Sequence, residues 1–162
     1  MTDACLETRA ACPTIVNGLD ALRGLVGQRL GRSEWLVIDQ DLIDRFAEVT
    51  RDQQWIHRDT ARAARGPFGI TIAHGYLTLS LCSYLIAQSF VVRGVGMAIN
   101  YGANRVRFPS PVPSGSSVRA TVDLTSVEEV SGGVQAVLHT VVEVVEAAKP
   151  SCVADIVFRY YV

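Results

Sequence analysis

The sequence predicts an α+β fold in which one long apolar helix lies against an antiparallel sheet. Residues 66–92 carry no Asp, Glu, Lys or Arg, so a helix in this segment must be covered on most of its faces. Residues 97–162 are rich in Val, Ile, Thr, Tyr and Phe, and they alternate in stretches such as VRATVDLTSVEEV. A sheet of consecutive antiparallel strands has one face to bury, and the long helix is the natural element to cover it.

Shorter elements are predicted in the first half of the chain. The stretch EWLVI, residues 34–38, is typical of a short strand. Asp39 then stands at an N-cap position, before apolar residues at the spacing of a helix of about ten residues. Asp59 is positioned to cap a second short helix, TARAAR, which Gly66 and Pro67 end.

A long helix from His74 or Gly75 to about Val92 is predicted next. Four strands follow it, over residues 97–108, 116–130, 134–147 and 151–162. Ser131-Gly132-Gly133 indicates a hairpin turn, and the prolines at 109, 111 and 113 mark a crossing between strands. A curled antiparallel sheet around one central helix is the hot-dog architecture.

Length and composition indicate a single domain over residues 1–162, with residues 1–20 as a flexible N-terminal extension or an extra cap. The net charge of −1 and the pI of about 6.3 argue against a nucleic-acid surface or a polybasic membrane anchor. Residues 76–92 are short for a membrane span and contain several polar side chains. We therefore expect a protein without nucleic-acid or membrane partners.

The cysteines and the N-terminus predict a cytoplasmic location. The four cysteines form no C-x-x-C pair, and no histidine stands at metal-ligand spacing from them, so we expect neither a disulfide framework nor a metal site. Residues 1–12 have neither a basic start nor a continuous apolar run, so they do not resemble a signal peptide.

One acid and one imidazole bound the stretch DQQWIH, residues 52–57. On a helix, a separation of five residues places them about 140° apart around the axis, and on a strand it sends them to opposite faces. They converge only if the stretch is irregular or turns sharply. The alternative is that Asp52 caps a local turn and His57 is a satisfied polar residue beneath the loop.

Gly75 adds a third element, at the predicted start of the long helix. Backbone N–H groups there have no partner within the helix, and the helix dipole is positive at this end. Such an end stabilises negative charge on an oxygen, and a glycine lets a ligand approach the backbone closely. An acid, a base and an oxyanion donor together indicate carbonyl chemistry, although an ordinary helix start is the simpler interpretation of Gly75 alone.

The stretch DQQWIHRDTARAARGPFGITIAHGYLTLSL resembles the MaoC-like (R)-specific enoyl-CoA hydratases, which are hot-dog proteins. Their signature is an Asp, four residues and a His, then a second acid, and F-x-x-x-I-x-HG at the start of the central helix. The matching residues here are Asp52, His57, Asp59, Phe68, Ile72, His74 and Gly75. The likeness covers residues 34–162. The dipeptide Gln54-Trp55 resembles that of a subgroup which includes NodN-like proteins and actinobacterial hydratases.

The resemblance implies hydration of a trans-2-enoyl-CoA to the (R)-3-hydroxyacyl-CoA, or the reverse dehydration. Asp52 and His57 would be the acid–base pair, and the N–H of Gly75 would bind the thioester oxygen. The substrate would be an acyl-CoA or acyl-carrier thioester, without any cofactor because coenzyme A is part of the substrate. A homodimer is expected, and Gln54, Trp55, Phe68 and Ile72 would contact the substrate. His74 is expected to have a structural role at the start of the helix.

Two positions carry further expectations. The family pattern has Asn-Pro where this chain has Gln54-Trp55, so the loop lacks the fixed backbone that proline supplies. Arg105 lies on a predicted strand and can meet the phosphates of coenzyme A, because its guanidinium offers a planar fork of donors. An exposed or carboxylate-paired strand face is the alternative for Arg105.

Three rival functions stay open at this stage. A hot-dog acyl-CoA thioesterase would attack the carbonyl instead of the β-carbon. A non-catalytic acyl-thioester binder, or a silent subunit of a heterodimer, would use the fold without the chemistry, and the Gln54-Trp55 departure keeps this rival open. Dehydration of a branched or polyketide-type hydroxyacyl group would use the same machinery.

Overall fold

Eight strands and five helices make up residues 12–162, the part of the chain that this computed structural model describes. The strands are β1 (Thr14–Asn17), β2 (Arg29–Arg32), β3 (Leu36–Ile38), β4 (Phe90–Arg93), β5 (Met97–Arg107), β6 (Ser116–Val130), β7 (Gly133–Val144) and β8 (Cys152–Tyr161). The helices are α1 (Gly18–Arg23), α2 (Gln40–Thr50), α3 (Trp55–Arg58), α4 (Thr60–Ala63) and α5 (Gly75–Ser89).

The main sheet has six antiparallel strands and confirms the predicted hot-dog fold. Its order is β2-β6-β7-β8-β5, and β3 also pairs with β6. The consecutive strands β6, β7 and β8 form hairpins, as the alternation predicts. β5 does not pair with its successor β6, because the proline-rich crossing carries the chain across the sheet and leaves β5 at the far edge, beside β8.

α5 is the central helix, and its burial creates the core. Leu77, Cys82, Leu85 and Ile86 on this helix are all buried. They face the inward side chains of the sheet, which include Val118, Ala120, Val122, Leu124, Ala136, Leu138, Val142, Cys152, Ala154 and Ile156. Regular alternation of buried and part-buried residues along β7 shows that one sheet face covers the helix while the other faces outward.

Several boundaries differ from the predictions. α5 ends at Ser89 instead of Val92, because residues 90–93 turn into β4, which pairs in parallel with β1. Thr14–Asn17 is therefore a paired strand, which corrects the flexible extension expected over residues 1–20 for that portion. Residues 1–11 lie outside the described residues. Among residues 12–162, no helix has both the length and the apolar character that a membrane span requires.

Both predicted aspartate caps are confirmed. The Asp39 carboxylate accepts a hydrogen bond from the Leu42 N–H and starts α2. The Asp59 carboxylate accepts one from the Arg62 N–H and starts α4. Each cap satisfies an N–H group that has no partner within its helix, so the short helices around the site begin at defined residues.

Gly31 lets β2 approach the last turn of α5, and it supplies a test of this packing. A Cβ at Gly31 would overlap the backbone of Ser89, which no rotamer change can relieve. We expect Gly31→Ala to lower the free energy of unfolding by about 2–3 kcal/mol through overpacking, measured by urea unfolding. Gly24→Ala is the matched control, because a Cβ there meets ordinary contacts at 3.5 Å. Equal stability of the two variants would contradict the close packing.

Candidate active site

The acid and the imidazole of DQQWIH meet because the chain reverses direction after α2. Arg51 ends that helix in the left-handed conformation, with φ of 64°, and Asp52 follows it. The single helical turn of α3 then places His57 in the interior, where it is 6% exposed. A carboxylate oxygen of Asp52 and a ring nitrogen of His57 lie within 4.8 Å of each other. The predicted convergence is therefore present, by way of a turn followed by one helical turn.

Main-chain geometry selects the tautomer of His57. Its Nδ1 lies 2.7 Å from the carbonyl oxygen of Ile72, which is an acceptor and has no proton to give. Nδ1 therefore carries the proton and donates it to Ile72. Nε2 is left with its lone pair, which is the form that a general base requires.

Burial keeps His57 neutral. Desolvation by burial lowers the pKa of His57 below its ordinary value of 6.5, and the neighbouring His74 lowers it further. The hydrogen bond to Ile72 and the charge of Asp52 raise the pKa, but they do not outweigh burial. At neutral pH the imidazole is thus an uncharged base beside an acid.

His74 joins the loop to the start of α5. Its Nε2 donates to the backbone carbonyl of Asp52 over 3.1 Å, and its ring stacks on His57 with centroids 3.6 Å apart. It is 3% exposed, and Phe46 covers it at a centroid distance of 5.1 Å. This arrangement agrees with the structural role expected for His74, because the residue before the helix holds the acid-bearing loop against it.

Asp52, His57 and His74 also form a group with metal-ligand chemistry, since each offers one ligand atom within 4.8 Å of the others. The Nδ1 of His74 has no hydrogen-bond partner. A metal ion needs lone pairs that converge, however, and the lone pairs of an imidazole lie in its ring plane. The two rings are stacked 3.6 Å apart with planes 24° apart, so no point within bonding distance of both rings lies in both ring planes. The absence of a metal site therefore stays a prediction.

The N-terminal end of α5 opens beside this group. The N–H groups of Leu77 and Thr78 return to the carbonyl of His74, so those of Gly75 and Tyr76 lie at the open end of the helix. A Cβ at Gly75 would meet the Phe108 ring at 2.9 Å. A larger residue at position 75 would therefore require the partly exposed Phe108 ring to shift.

A cleft of about 340 Å³ contains both the base and the helix end. His57, Gly75, Phe68 and Ile72 are four predicted site residues that line it. The wall also includes Ile56, Ala73, Thr78, Phe108, Pro109, Ser110, Pro111, Val112 and Ser151. The lining is mainly apolar with a few polar groups, as is typical of a site for an acyl chain attached to a reactive group.

Four predicted site residues are not in the cleft wall. Asp52 is exposed and lies beside His57, and the other three make different contacts. The Trp55 ring packs on Gly66 and under the Arg62 guanidinium, 4.3 Å from its centroid. Gln54 acts through its backbone: its N–H lies 3.4 Å from the Asp52 carboxylate, and its carbonyl accepts from the His57 N–H. Arg105 is exposed on the edge strand β5, in a bulge where its φ is 53°.

The cleft wall also contains Thr78, Phe108 and Ser151, which were not among the predicted site residues. Thr78 is buried and stands one turn after Gly75, so helical spacing from the glycine would have found it. Phe108 and Ser151 come from the strand crossing and the start of β8, and no local spacing connects them with DQQWIH.

Comparisons with known proteins agree with this geometry. Residues 22–147 match the family model described as a MaoC like domain. The chain is 53% identical over 140 residues to 3-hydroxyacyl-thioester dehydratase Z of Mycobacterium tuberculosis, covering 86% of this chain and 93% of that protein. It is 42% identical over 140 residues to Nodulation protein N of Rhizobium meliloti, covering 85% and 87%.

A solved structure gives the same result at the level of the fold. The (R)-hydratase from A. caviae involved in PHA biosynthesis matches with a TM-score of 0.68 and 28% identity, covering 82% of this chain and 94% of that one. The family match over residues 22–147 and the 53% identity identify the family directly. The chain belongs to the MaoC-like dehydratase family.

Proposed function

We propose that the protein is an (R)-specific hydro-lyase that adds water to a trans-2-enoyl thioester, or removes it from the (R)-3-hydroxyacyl thioester. One observation carries the proposal. His57, with a free lone pair on Nε2, and the open end of α5 line one cleft, and the Asp52 carboxylate lies within 4.8 Å of a ring nitrogen of His57. A base, an acid and an oxyanion donor are the groups that this addition needs.

The Asp52–His57 pair supports activation of a water molecule. A separation of up to 4.8 Å lets one water bridge the carboxylate and the imidazole. The hydroxyl of that water bonds to C3 of the enoyl group while the pair takes its proton. The pair then returns one proton to C2, so the elements of one water are added across the double bond.

Gly75 stabilises the charge that forms between these two steps. When the hydroxyl bonds to C3, the electrons of the double bond move to the thioester oxygen as an enolate. An N–H at the positive end of α5 binds this oxygen more tightly as its charge grows, which lowers the barrier rather than only binding the substrate. The Phe108 ring lies beside Gly75 at this end of the helix.

The similar proteins support the same chemistry. Dehydratase Z is named for 3-hydroxyacyl thioesters, and the A. caviae protein is named an (R)-hydratase. We extend both features to this chain, with coenzyme A or an acyl carrier as part of the substrate. Acid–base groups and a backbone donor suffice for each step, so the proposed reaction needs no further cofactor. We assign the protein to the cytoplasm.

The other predicted substrate residues take part in different ways. Phe68 and Ile72 line the cleft and would contact the acyl group. Gln54 and Trp55 would support the substrate indirectly, by holding the loop that carries Asp52. Arg105 does not line the cleft. Its exposed guanidinium would bind the phosphates of coenzyme A outside it.

A homodimer through β5 completes the proposal. This strand is eleven residues long, lies at the edge of the main sheet and exposes Met97, Ile99 and Tyr101. A long exposed edge with apolar side chains is a template for pairing with another strand. A second copy of β5 supplies that strand and would extend the sheet across both subunits.

Hydration of crotonyl-CoA tests the function. We expect the enoyl absorbance to fall without release of free thiol, and chiral analysis should give the (R)-3-hydroxy product. Asp52→Asn and His57→Ala should each lower kcat/KM by about 100-fold or more, because each removes half of the acid–base pair. Gln28→Met is the control, since Gln28 is exposed and remote from the cleft.

Two outcomes would overturn this assignment. Release of thiol with the enoyl absorbance intact would indicate a thioesterase. No hydration across a panel of straight and branched enoyl thioesters, together with an Asp52→Asn variant that binds them like wild type, would indicate a non-catalytic binding protein.

The protonation of His57 predicts the pH dependence. Because burial lowers the folded pKa, the neutral form of the base should predominate at pH 6.5, and NMR titration of its ring protons should have a midpoint below 6.5. The unfolded chain binds a proton there that the folded chain does not. Stability should therefore decrease as the pH falls below 6.5, and less so in His57→Gln. A midpoint above 6.5 would contradict the proposed neutral base.

Ile99→Lys tests the dimer. A charge on the exposed face of β5 should prevent two copies from pairing, so light scattering should give the mass of a monomer where wild type gives that of a dimer. Val26→Lys adds the same charge at a similarly exposed residue away from β5 and should stay dimeric. A dimeric Ile99→Lys, or a monomeric wild type, would remove β5 as the interface.

A further inference from the structure

Gln40, the first residue of α2, makes hydrogen bonds through both the nitrogen and the oxygen of its side-chain amide, next to His57. Its Nε2 donates to the backbone carbonyl of His57 over 2.8 Å and to the Asp44 carboxylate over 2.9 Å. Its Oε1 accepts a hydrogen bond from the hydroxyl of Thr71, which is 1% exposed. The His57 main-chain carbonyl can only accept a hydrogen bond, so the Gln40 nitrogen must face it and the orientation of the amide is determined.

The two segments that Gln40 joins are the two that hold His57. One is the main chain of His57 itself, at the end of the single turn of α3. The other is Thr71–Ile72, whose Ile72 carbonyl accepts the Nδ1 proton of His57. A change in the separation of these segments would change the Nδ1–H···O=C bond, which determines whether Nε2 is the free base.

We propose that Gln40 is a positioning residue that bridges the His57 main chain to the Thr71–Ile72 segment and so fixes the tautomer and direction of the catalytic imidazole. It does not line the cleft, so it acts through His57 and not on the substrate. The reaction that it serves rests on the proposed function, but its effect on the His57 ring does not.

Other contacts between α2 and the loop do not extend to Thr71–Ile72. Gln53 donates to the Ala47 carbonyl, and Arg58 contacts Asp44 and Glu48 at 3.5 and 3.7 Å. These contacts attach the loop to α2 on either side of His57 without joining it to Thr71–Ile72. A main-chain hydrogen bond from the Ile72 N–H to the Ile56 carbonyl already joins the two segments. Gln40 adds side-chain hydrogen bonds to the neighbouring residues His57 and Thr71, so its loss should affect the direction of the His57 ring.

Gln40→Met tests the inference, because methionine keeps the length of the side chain and removes all three hydrogen bonds. Thr71→Val is the second variant, since it removes one of those bonds while preserving shape. Gln135→Met is the matched control: Gln135 is partly buried and accepts one hydrogen bond from Arg159, on the outer face of the sheet.

The first readout is ¹⁵N NMR of the histidine rings at pH 8, which needs no substrate. In wild type and Gln135→Met, His57 should show a protonated Nδ1 and an unprotonated Nε2. In Gln40→Met the two shifts should move toward each other as the tautomers mix. Thr71→Val should shift them in the same direction by less, and the double variant should resemble Gln40→Met because Thr71 acts through it.

The second readout is hydration kinetics. We expect Gln40→Met to lower kcat by about 10–100-fold, because a misdirected base loses near-attack geometry. KM should change by less than about threefold, since the substrate contacts remain. Unchanged His57 shifts in a folded Gln40→Met or Thr71→Val protein would overturn the inference, as would a loss confined to KM. Failure of wild type to hydrate any enoyl thioester would instead overturn the proposed function and leave the NMR result standing.

Discussion

Burial of α5 against the sheet is the constraint on which the rest of the structure depends. Leu77, Leu85 and Ile86 on this helix are enclosed by the inward side chains of the strands, and Gly31 lets the sheet reach its backbone. Burial of apolar area is the dominant favourable contribution to folding, so the helix is fixed along its whole length. Its first turn is held against the core by the buried Leu77 and Thr78, and Gly75 in that turn lines the cleft. In the proposed reaction, a backbone donor with this support would need little reorganisation when charge forms on the substrate.

The acid–base pair depends on that helix in a second way. His74 precedes α5, stacks on His57 and donates a hydrogen bond to the Asp52 carbonyl. Both members of the pair are therefore held in position by the residue at the start of the same helix. From the other side, Gln40 attaches His57 to α2. The loop DQQWIH is irregular in backbone conformation yet constrained at both ends. This explains how Trp55 can stand where the family pattern has proline, since its contacts with Arg62 and Gly66 restrict the loop by packing.

Low polarity of the cleft favours both the neutral form of His57 and the proposed binding of an oxyanion. Burial removes the water that would stabilise a charged imidazole, so His57 is neutral and ready to accept a proton. In the proposed reaction, the same low polarity would strengthen the interaction between the Gly75 N–H and a developing oxyanion. Low polarity would thus favour both the neutral base and the binding of the oxyanion. Asp52, in contrast, is exposed to solvent.

The sequence by itself determined the fold class, the central helix and the aspartate caps, because each depends on periodicity or spacing within a short stretch. The Asp52–His57 pair was predicted from the resemblance of the whole motif, since its spacing alone also allows a turn cap and a satisfied polar residue. Tertiary structure decided what distant residues do to one another. The position of β5 beside β8, the Phe108 ring over Gly75 and the Gln40 bridge between His57 and Thr71 all join segments far apart in the chain. No local pattern encodes such contacts, because they exist only after α5 has brought the sheet, the crossing and α2 together.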